Sequence, residues 1–383
     1  MKKTFCFRAL LTAVAVLMVT FAFGQCDTCT CTDACGNVVS CQPKPLIEFS
    51  GYANAGYYGN TVGSDFNGNS NTWSHSGGAL NAIYASMTKK ADTGGCGVDW
   101  GFGADLMFGE DYRFMHVEEG LDEKWNTASN NSYGFAMPQL YAEIAMNYWN
   151  VKMGHIYTPF GYEGAKATDR FFYSRGQSFD VLPVTQTGAW ATYNGFENLE
   201  IGMGWFNGIN QGFDDSNGGS MGVLSLKYQM TDRLALKYVI GSGDIYDYEI
   251  GGARVHTYGI LNFASLEWKI SPCFTAVTTF DYQDRKGPSH ETVLVLGQHL
   301  YRDLTEKLKL GLRMEWERQR DLEANVSTET YNVALGANWK PLATECFLIR
   351  PEVRYDHCSA AIYGENNDKD HQVCLGVDML FRF

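Results

Sequence analysis

From His371 to Phe383 apolar and polar side chains trade places at every step. Val373, Leu375, Val377, Met379, Phe381 and Phe383 share one face. Cys374, Gly376, Asp378 and Arg382 share the other, where Leu380 is the one apolar exception. A strand that is apolar outside, polar inside and ends on Phe fits the closing strand of a transmembrane β-barrel. A soluble sheet can carry the same alternation, so recurrence along the chain has to decide.

The pattern recurs. Val98, Trp100, Phe102, Ala104, Leu106 and Phe108 alternate with Asp99, Gly101, Gly103, Asp105 and Met107. Leu308, Leu310, Leu312, Met314 and Trp316 alternate with Lys309, Gly311, Arg313, Glu315 and Glu317, and the runs 199–206 and 331–339 read the same way. Glycine and charge on one face suit a water-filled interior better than a packed core. With weaker runs between, about sixteen strands are expected. Pro351 falls inside one of them, where it removes a ladder hydrogen bond and suggests a bulge.

Short connections near 91–95, 147–150, 194–198, 230–233, 270–272, 302–307 and 341–345 alternate with long ones. The long ones lie near 59–78, 109–138, 160–186, 208–220, 244–257, 321–329 and 359–370. Short periplasmic turns and long extracellular loops follow the barrel rule. Aromatics crowd the short turns, among them Trp100, Tyr148, Trp149, Trp268 and Trp339, as an interfacial girdle would.

Lys2, Lys3 and Arg8 precede an apolar run from Leu10 to Phe23, with Ala22 and Gly24 ahead of Gln25. Residues 1–24 read as a secretory signal peptide. Residues 25–45 form a Cys-rich periplasmic segment, and 46–383 the barrel. Export makes disulfides the default for the cysteines that remain. Cys26, Cys29, Cys31, Cys35 and Cys41 crowd the mature N-terminus, and Cys96, Cys273 and Cys346 follow short turns, so the segment is expected at the periplasmic rim. Cys358 and Cys374 flank Asn366 symmetrically and both point inward, which predicts a bridge across the last hairpin. No metal site is expected: the N-terminal cysteines have no neighbouring histidines.

The most distinctive segment runs from Val151 to Asn207. It holds Gly-His-Ile-Tyr-Thr-Pro-Phe-Gly-Tyr-Glu (154–163), Arg-Phe-Phe-Tyr-Ser-Arg (170–175), Thr187–Gly188 and Trp-Phe-Asn-Gly (205–208). With Gly-Tyr-Ala-Asn-Ala-Gly-Tyr-Tyr-Gly-Asn (51–60), it resembles the β-barrel porin-2 family, the OmpL-like outer-membrane porins. His155 stands where that family usually has Lys. The resemblance implies an outer-membrane channel.

Residue by residue, 160–186 reads as a pore loop. It carries Glu163, Lys166, Asp169, Arg170, Arg175 and Asp180 among aromatics. Alternation points Arg313, Glu315, Glu317, Arg350, Glu352, Arg354 and Arg382 inward from the wall. Rings of charge set ion preference in such pores. A loop capping the outside is the plainer reading.

No enzyme is expected. Gly218–Gly222 matches Gly-x-Ser-x-Gly, but a polar loop precedes it and a strand follows, where the nucleophile elbow needs strand and then helix. A formal net charge of −13 argues against a nucleic-acid partner. The expected partners are outer-membrane lipid and small hydrophilic solutes, with no cofactor; monomer and homotrimer both fit. The function expected is passive diffusion of small hydrophilic solutes or ions through a lumen narrowed by loop 160–186. The alternative is a structural or adhesive barrel with a blocked lumen, which the acidic stretch 110–124 and the cysteine-rich N-terminus favour.

Overall fold

A computed structural model describes residues 29–32, 38–41, 46–63, 76–94, 96–117, 120–122, 125–126, 132–213, 219–250, 253–342, 344–364 and 366–383. The expected signal peptide (1–24) and most of the N-terminal cysteine segment lie outside these residues. From that segment, β1 (Cys29–Thr32) and β2 (Val38–Cys41) form a two-stranded hairpin with Cys29 opposite Cys41.

Sixteen strands then close into a barrel. They are β3 (Glu48–Asn60), β4 (Gly77–Lys89), β5 (Val98–Gly109), β6 (Gly134–Met146), β7 (Trp149–Tyr157), β8 (Thr185–Tyr193), β9 (Leu199–Phe206) and β10 (Met221–Thr231). The second half is β11 (Leu234–Ile250), β12 (Ala253–Ser271), β13 (Phe274–Lys286), β14 (His290–Thr305), β15 (Leu308–Asp321), β16 (Val326–Trp339), β17 (Phe347–Cys358) and β18 (His371–Arg382). Each pairs antiparallel with its chain neighbours, and β18 pairs with β3. Phe383 and Gly51 complete the seam by exchanging backbone hydrogen bonds of 2.9 and 3.0 Å. Closure leaves no unpaired edge, the condition for crossing lipid with strands. Among the described residues no helix is long and apolar enough to cross a membrane.

Alternation holds where it was clearest. Val98, Trp100 and Leu106 of β5 are exposed on the outside while Gly101, Gly103, Asp105 and Met107 are buried inside. Leu375, Val377, Met379 and Phe381 face out from β18, and Leu380 is buried inside. Trp100, Tyr148, Trp268 and Trp339 are exposed beside the short turns. Pro351 makes no bulge. The β16–β17 register runs unchanged from Gly336↔Glu352 to Trp339↔Ile349 and merely skips the pairs between. Pro351 is exposed on the outer face, so the missing donor costs one rung of the ladder.

Three expectations fail. First, segments 244–257 and 321–329, read as long loops, are mostly strand: β11 and β12 stay paired to Ile250↔Ala253, and β15 and β16 to Asp321↔Val326. Polar residues there extend the barrel wall beyond the apolar band. Second, the inner face is not polar throughout. Val223, Val239, Leu261, Phe263, Val293 and Val295 point inward from β10–β14 and pack with Phe160, Val181 and Leu182. A loop covers them, so they meet no water.

Third, Cys358 and Cys374 are free thiols. Register sets Cys374 against Arg354, whereas the Cys358 amide bonds Asp370. The hairpin is centred on Gly364, not Asn366. Four residues of strand separate the thiols, about 13 Å of rise, beyond the roughly 7 Å that a disulfide spans between Cα atoms. Each finds its own partner: Tyr58 Oη donates to Cys374 Sγ at 2.9 Å, and Thr330 Oγ1 to Cys358 Sγ at 3.8 Å. Cys273 and Cys346 are also free, and exposed.

Candidate functional site

Between β7 and β8 the chain leaves the wall for residues 158–184. Gly161 takes a left-handed φ of 84°, which glycine adopts without steric cost, and turns the chain inward after Pro159–Phe160. Two short helical pieces follow, a single 3-10 turn (Ala167–Asp169) and α2 (Gln177–Val181). Backbone groups of the loop meet inward-facing side chains of several strands. The Ala167 amide donates to Tyr52 Oη of β3 (3.3 Å), the Gln177 amide to Glu315 of β15 (3.0 Å) and the Ser174 amide to Glu352 of β17 (3.0 Å). Val181 carbonyl accepts from Gln283 of β13, and Gly161 carbonyl from Lys237 of β11 (2.9 Å).

Three wall arginines hold the loop. Arg313 Nη1 donates to both carboxylate oxygens of Glu163 (3.1 Å) and to the Ser174 carbonyl (3.1 Å), and its Nε lies 3.3 Å from Glu315. Arg350 pairs with Asp378 and donates to the carbonyls of Ala167 (2.8 Å) and Arg170 (3.0 Å). Arg354 pairs with Asp356 (2.7 Å) and donates to the Arg175 carbonyl (2.8 Å). All three are at most 1% exposed. Each buried cation has both a carboxylate and at least one carbonyl, which a buried charge requires. Arg382 reaches the Thr168 carbonyl at 3.5 Å.

A second segment enters beside this loop, unread as such from the sequence. After β5 comes α1 (Tyr112–Met115), where Asp111 accepts ion pairs from Arg175 (2.9 Å) and Arg170 (3.4 Å). Phe114 meets Phe179 edge-on at 5.9 Å, and the Arg175 guanidinium lies 3.9 Å from the Phe114 ring centre. Burial opposes charge on Asp111, but Arg175 and Arg170 outweigh it and hold the carboxyl below its usual range. Glu163 follows the same logic: burial is opposed and overcome by Arg313. Burial also pushes the Arg175 guanidinium down to about 10 and the Tyr162 phenol up to about 12, so both keep their protons at neutral pH.

Of the loop residues singled out from sequence, Glu163, Arg170 and Arg175 join this buried network. Lys166 and Asp169 pair with each other at 3.4 Å, and Asp180 lies in α2. Of the wall residues, Arg313, Glu315, Arg350, Glu352, Arg354 and Arg382 meet the loop. Glu317 makes no ion pair among the described residues. Missed altogether were Asp111, Tyr52, Lys237, Gln283, Asp356 and Asp378. Asp378 and Lys237 carried a signal, as charges on the inward face of their strands.

Three cavities touch the loop. One of about 280 Å³ lies among Phe160, Glu163, Phe179, Lys237 and His299. Two more, of about 620 and 400 Å³, lie among Glu200, Lys227 and Glu267, and among Phe171, Lys269 and Tyr301. Tyr162 lines all three. No cluster of metal-ligating side chains occurs among the described residues.

A family model described as "Putative beta-barrel porin-2, OmpL-like" matches residues 46–383. No curated protein sequence matches. Solved structures share the fold at low identity. Outer-membrane OmpT of Vibrio cholerae superposes with a TM-score of 0.60 at 10% identity, over 89% of this chain and 99% of that one. An anion-selective porin from Comamonas acidovorans gives 0.59 at 12%, over 88% and 99%. Salmonella typhi OmpF gives 0.55 at 12%, over 88% and 97%.

Proposed function

The chain belongs to the putative beta-barrel porin-2, OmpL-like family, and on that footing we propose passive diffusion of small hydrophilic solutes past a constriction formed by loop 158–184. The protein is an outer-membrane β-barrel of the porin type. One observation carries the proposal: the loop bonds to inward side chains of β3, β11, β13, β15 and β17, which together ring the interior. In this reading Arg313, Arg350 and Arg354 are struts. Their charges are spent on Glu163, Asp378, Asp356 and loop carbonyls. Solutes meet instead the half-buried side chains of the cavities around Tyr162. No bond is made or broken and no cofactor takes part.

A second reading is favoured by a specific observation. Leu261, Phe263, Gln283, Arg350 and Arg354, on β12, β13 and β17, are buried almost completely, as is Asn54 on β3. That supports a barrel whose waist is occluded at rest. Conductance of the purified protein in planar bilayers separates the two. A steady conductance supports the diffusion channel, and a variant lacking 164–176 should then conduct several times more. A silent wild type beside a conducting deletion supports the occluded barrel. Silence of both defeats the porin reading. A homotrimer is the assembly we propose, by likeness to OmpT of Vibrio cholerae, which has a trimer form. Mass measurement in mild detergent tests it.

A further inference from the structure

At the short-turn end of the barrel, lysines and glutamates line the two larger cavities. Among the described residues, Lys227 is neutralised by Glu200 (2.7 Å) and Lys309 by Asp303 (3.6 Å). Among the described residues four charges lining these cavities make no ion pair: Glu197 on the exposed turn between β8 and β9, and Lys237, Glu267 and Lys269 on the inner wall. Lys237 donates instead to the Gly161 carbonyl (2.9 Å). Register explains why the three on the wall stay apart yet close. Ala235 pairs with Glu267 and Lys237 with Ser265, so Lys237 lies diagonal to Glu267 on the inward face. Lys269 is the next inward residue along β12 from Glu267. The interior wall thus carries a row of plus, minus and plus without internal neutralisation.

Aromatic surface lies opposite. Tyr162 rests against His299 at 5.1 Å, and Phe171 against Tyr301 at 4.9 Å. Lys237 and Glu267 line the cavity of about 620 Å³, Glu267 and Lys269 that of about 400 Å³, and Tyr162 lines both. A free anion meets two attractive charges and one repulsive one along this row, and a free cation the reverse. A zwitterion with an apolar body satisfies both signs at once, ammonium on Glu267 and carboxylate on either lysine, with the body on the rings.

We infer that this row, Lys237–Glu267–Lys269 beside Tyr162, makes the channel prefer small zwitterions with an apolar or aromatic body, such as amino acids and short peptides. The inference rests on the diffusion-channel reading and adds a solute class to it. Lysines on both sides of Glu267 let a bound solute exchange one carboxylate partner for the other as it passes Tyr162, so binding need not arrest transit.

The test is entry into protein-loaded vesicles, read by swelling, of three probes of similar size: Gly-Phe, its N-acetyl form and its C-terminal amide. The first is a zwitterion, the second an anion and the third a cation. Gly-Phe should enter fastest. Glu267→Gln should abolish its advantage over the N-acetyl form, and Lys269→Gln should reduce its advantage over the amide, with heat-modifiable mobility reporting that each variant is folded. Equal entry of all three, or a Gly-Phe advantage untouched by Glu267→Gln, overturns the inference while salt conductance keeps the porin reading. Vesicles closed to all three probes and to salt remove both.

Discussion

Arg313 joins wall to loop most densely, since one guanidinium serves Glu163, Glu315 and the Ser174 and Arg175 carbonyls. Arg313→Leu leaves two buried carboxylates without their cation, a change that costs about 3–5 kcal/mol where such pairs are broken. The expected outcome is a loop that detaches rather than a barrel that unfolds, because the sheet's own hydrogen bonds are untouched. Single-channel recording should show a larger, noisier conductance; unchanged traces would contradict the strut role. The pH response follows from Asp111 and Glu163. Their carboxyls titrate below the ordinary range in the folded protein, so their stabilisation is fully present above about pH 4 and is lost as pH falls through the depressed values. Conductance should therefore stay level from pH 8 to 5 and rise only in stronger acid. An opening near pH 6 would point to another group.

Among the elements, the last hairpin shows how little a count of residues fixes register. Cys358 and Cys374 are equidistant from Asn366, but β17 and β18 pair about Gly364, and two residues of offset are enough to part the thiols. Both thiols should be alkylated in unfolded protein that has never met a reductant; a bridged peptide in the mass spectrum would refute this register. The β7–β8 connection shows the opposite case. Its charges and aromatics read as a candidate pore loop beside the plainer reading of an outer cap, and its backbone bonds side chains of β3, β15 and β17. What sequence left unread was the partner segment, Asp111 with α1, since a four-residue helix has no periodicity to recognise.

The whole molecule depends on closure. β3 and β18 lie at opposite ends of the chain and must pair before the barrel has no edge. Phe383 takes part twice, through its backbone exchange with Gly51 and through its exposed ring at the short-turn rim. Deleting Phe383 should lower the yield of folded, heat-modifiable protein in the outer membrane and leave expression unchanged. A deletion that assembles like the wild type would show that the seam tolerates the loss of both hydrogen bonds. Closure also explains the division of the interior. One loop turns an apolar flank toward β10–β14 and a charged flank toward β15–β18, so each of these stretches of wall is matched by what covers it.

Alternation along each strand was enough to establish barrel architecture, strand number and the inward or outward sense of Arg313, Arg350, Arg354 and Leu380, because a side-chain period of two is a local property of extended backbone. Which inward residues meet the loop, which thiols lie opposite each other and which lysines stay without a carboxylate depend on register and on where 158–184 comes to rest. The loop's contacts with β3, β15 and β17 join residues more than a hundred positions apart, and no local pattern records them.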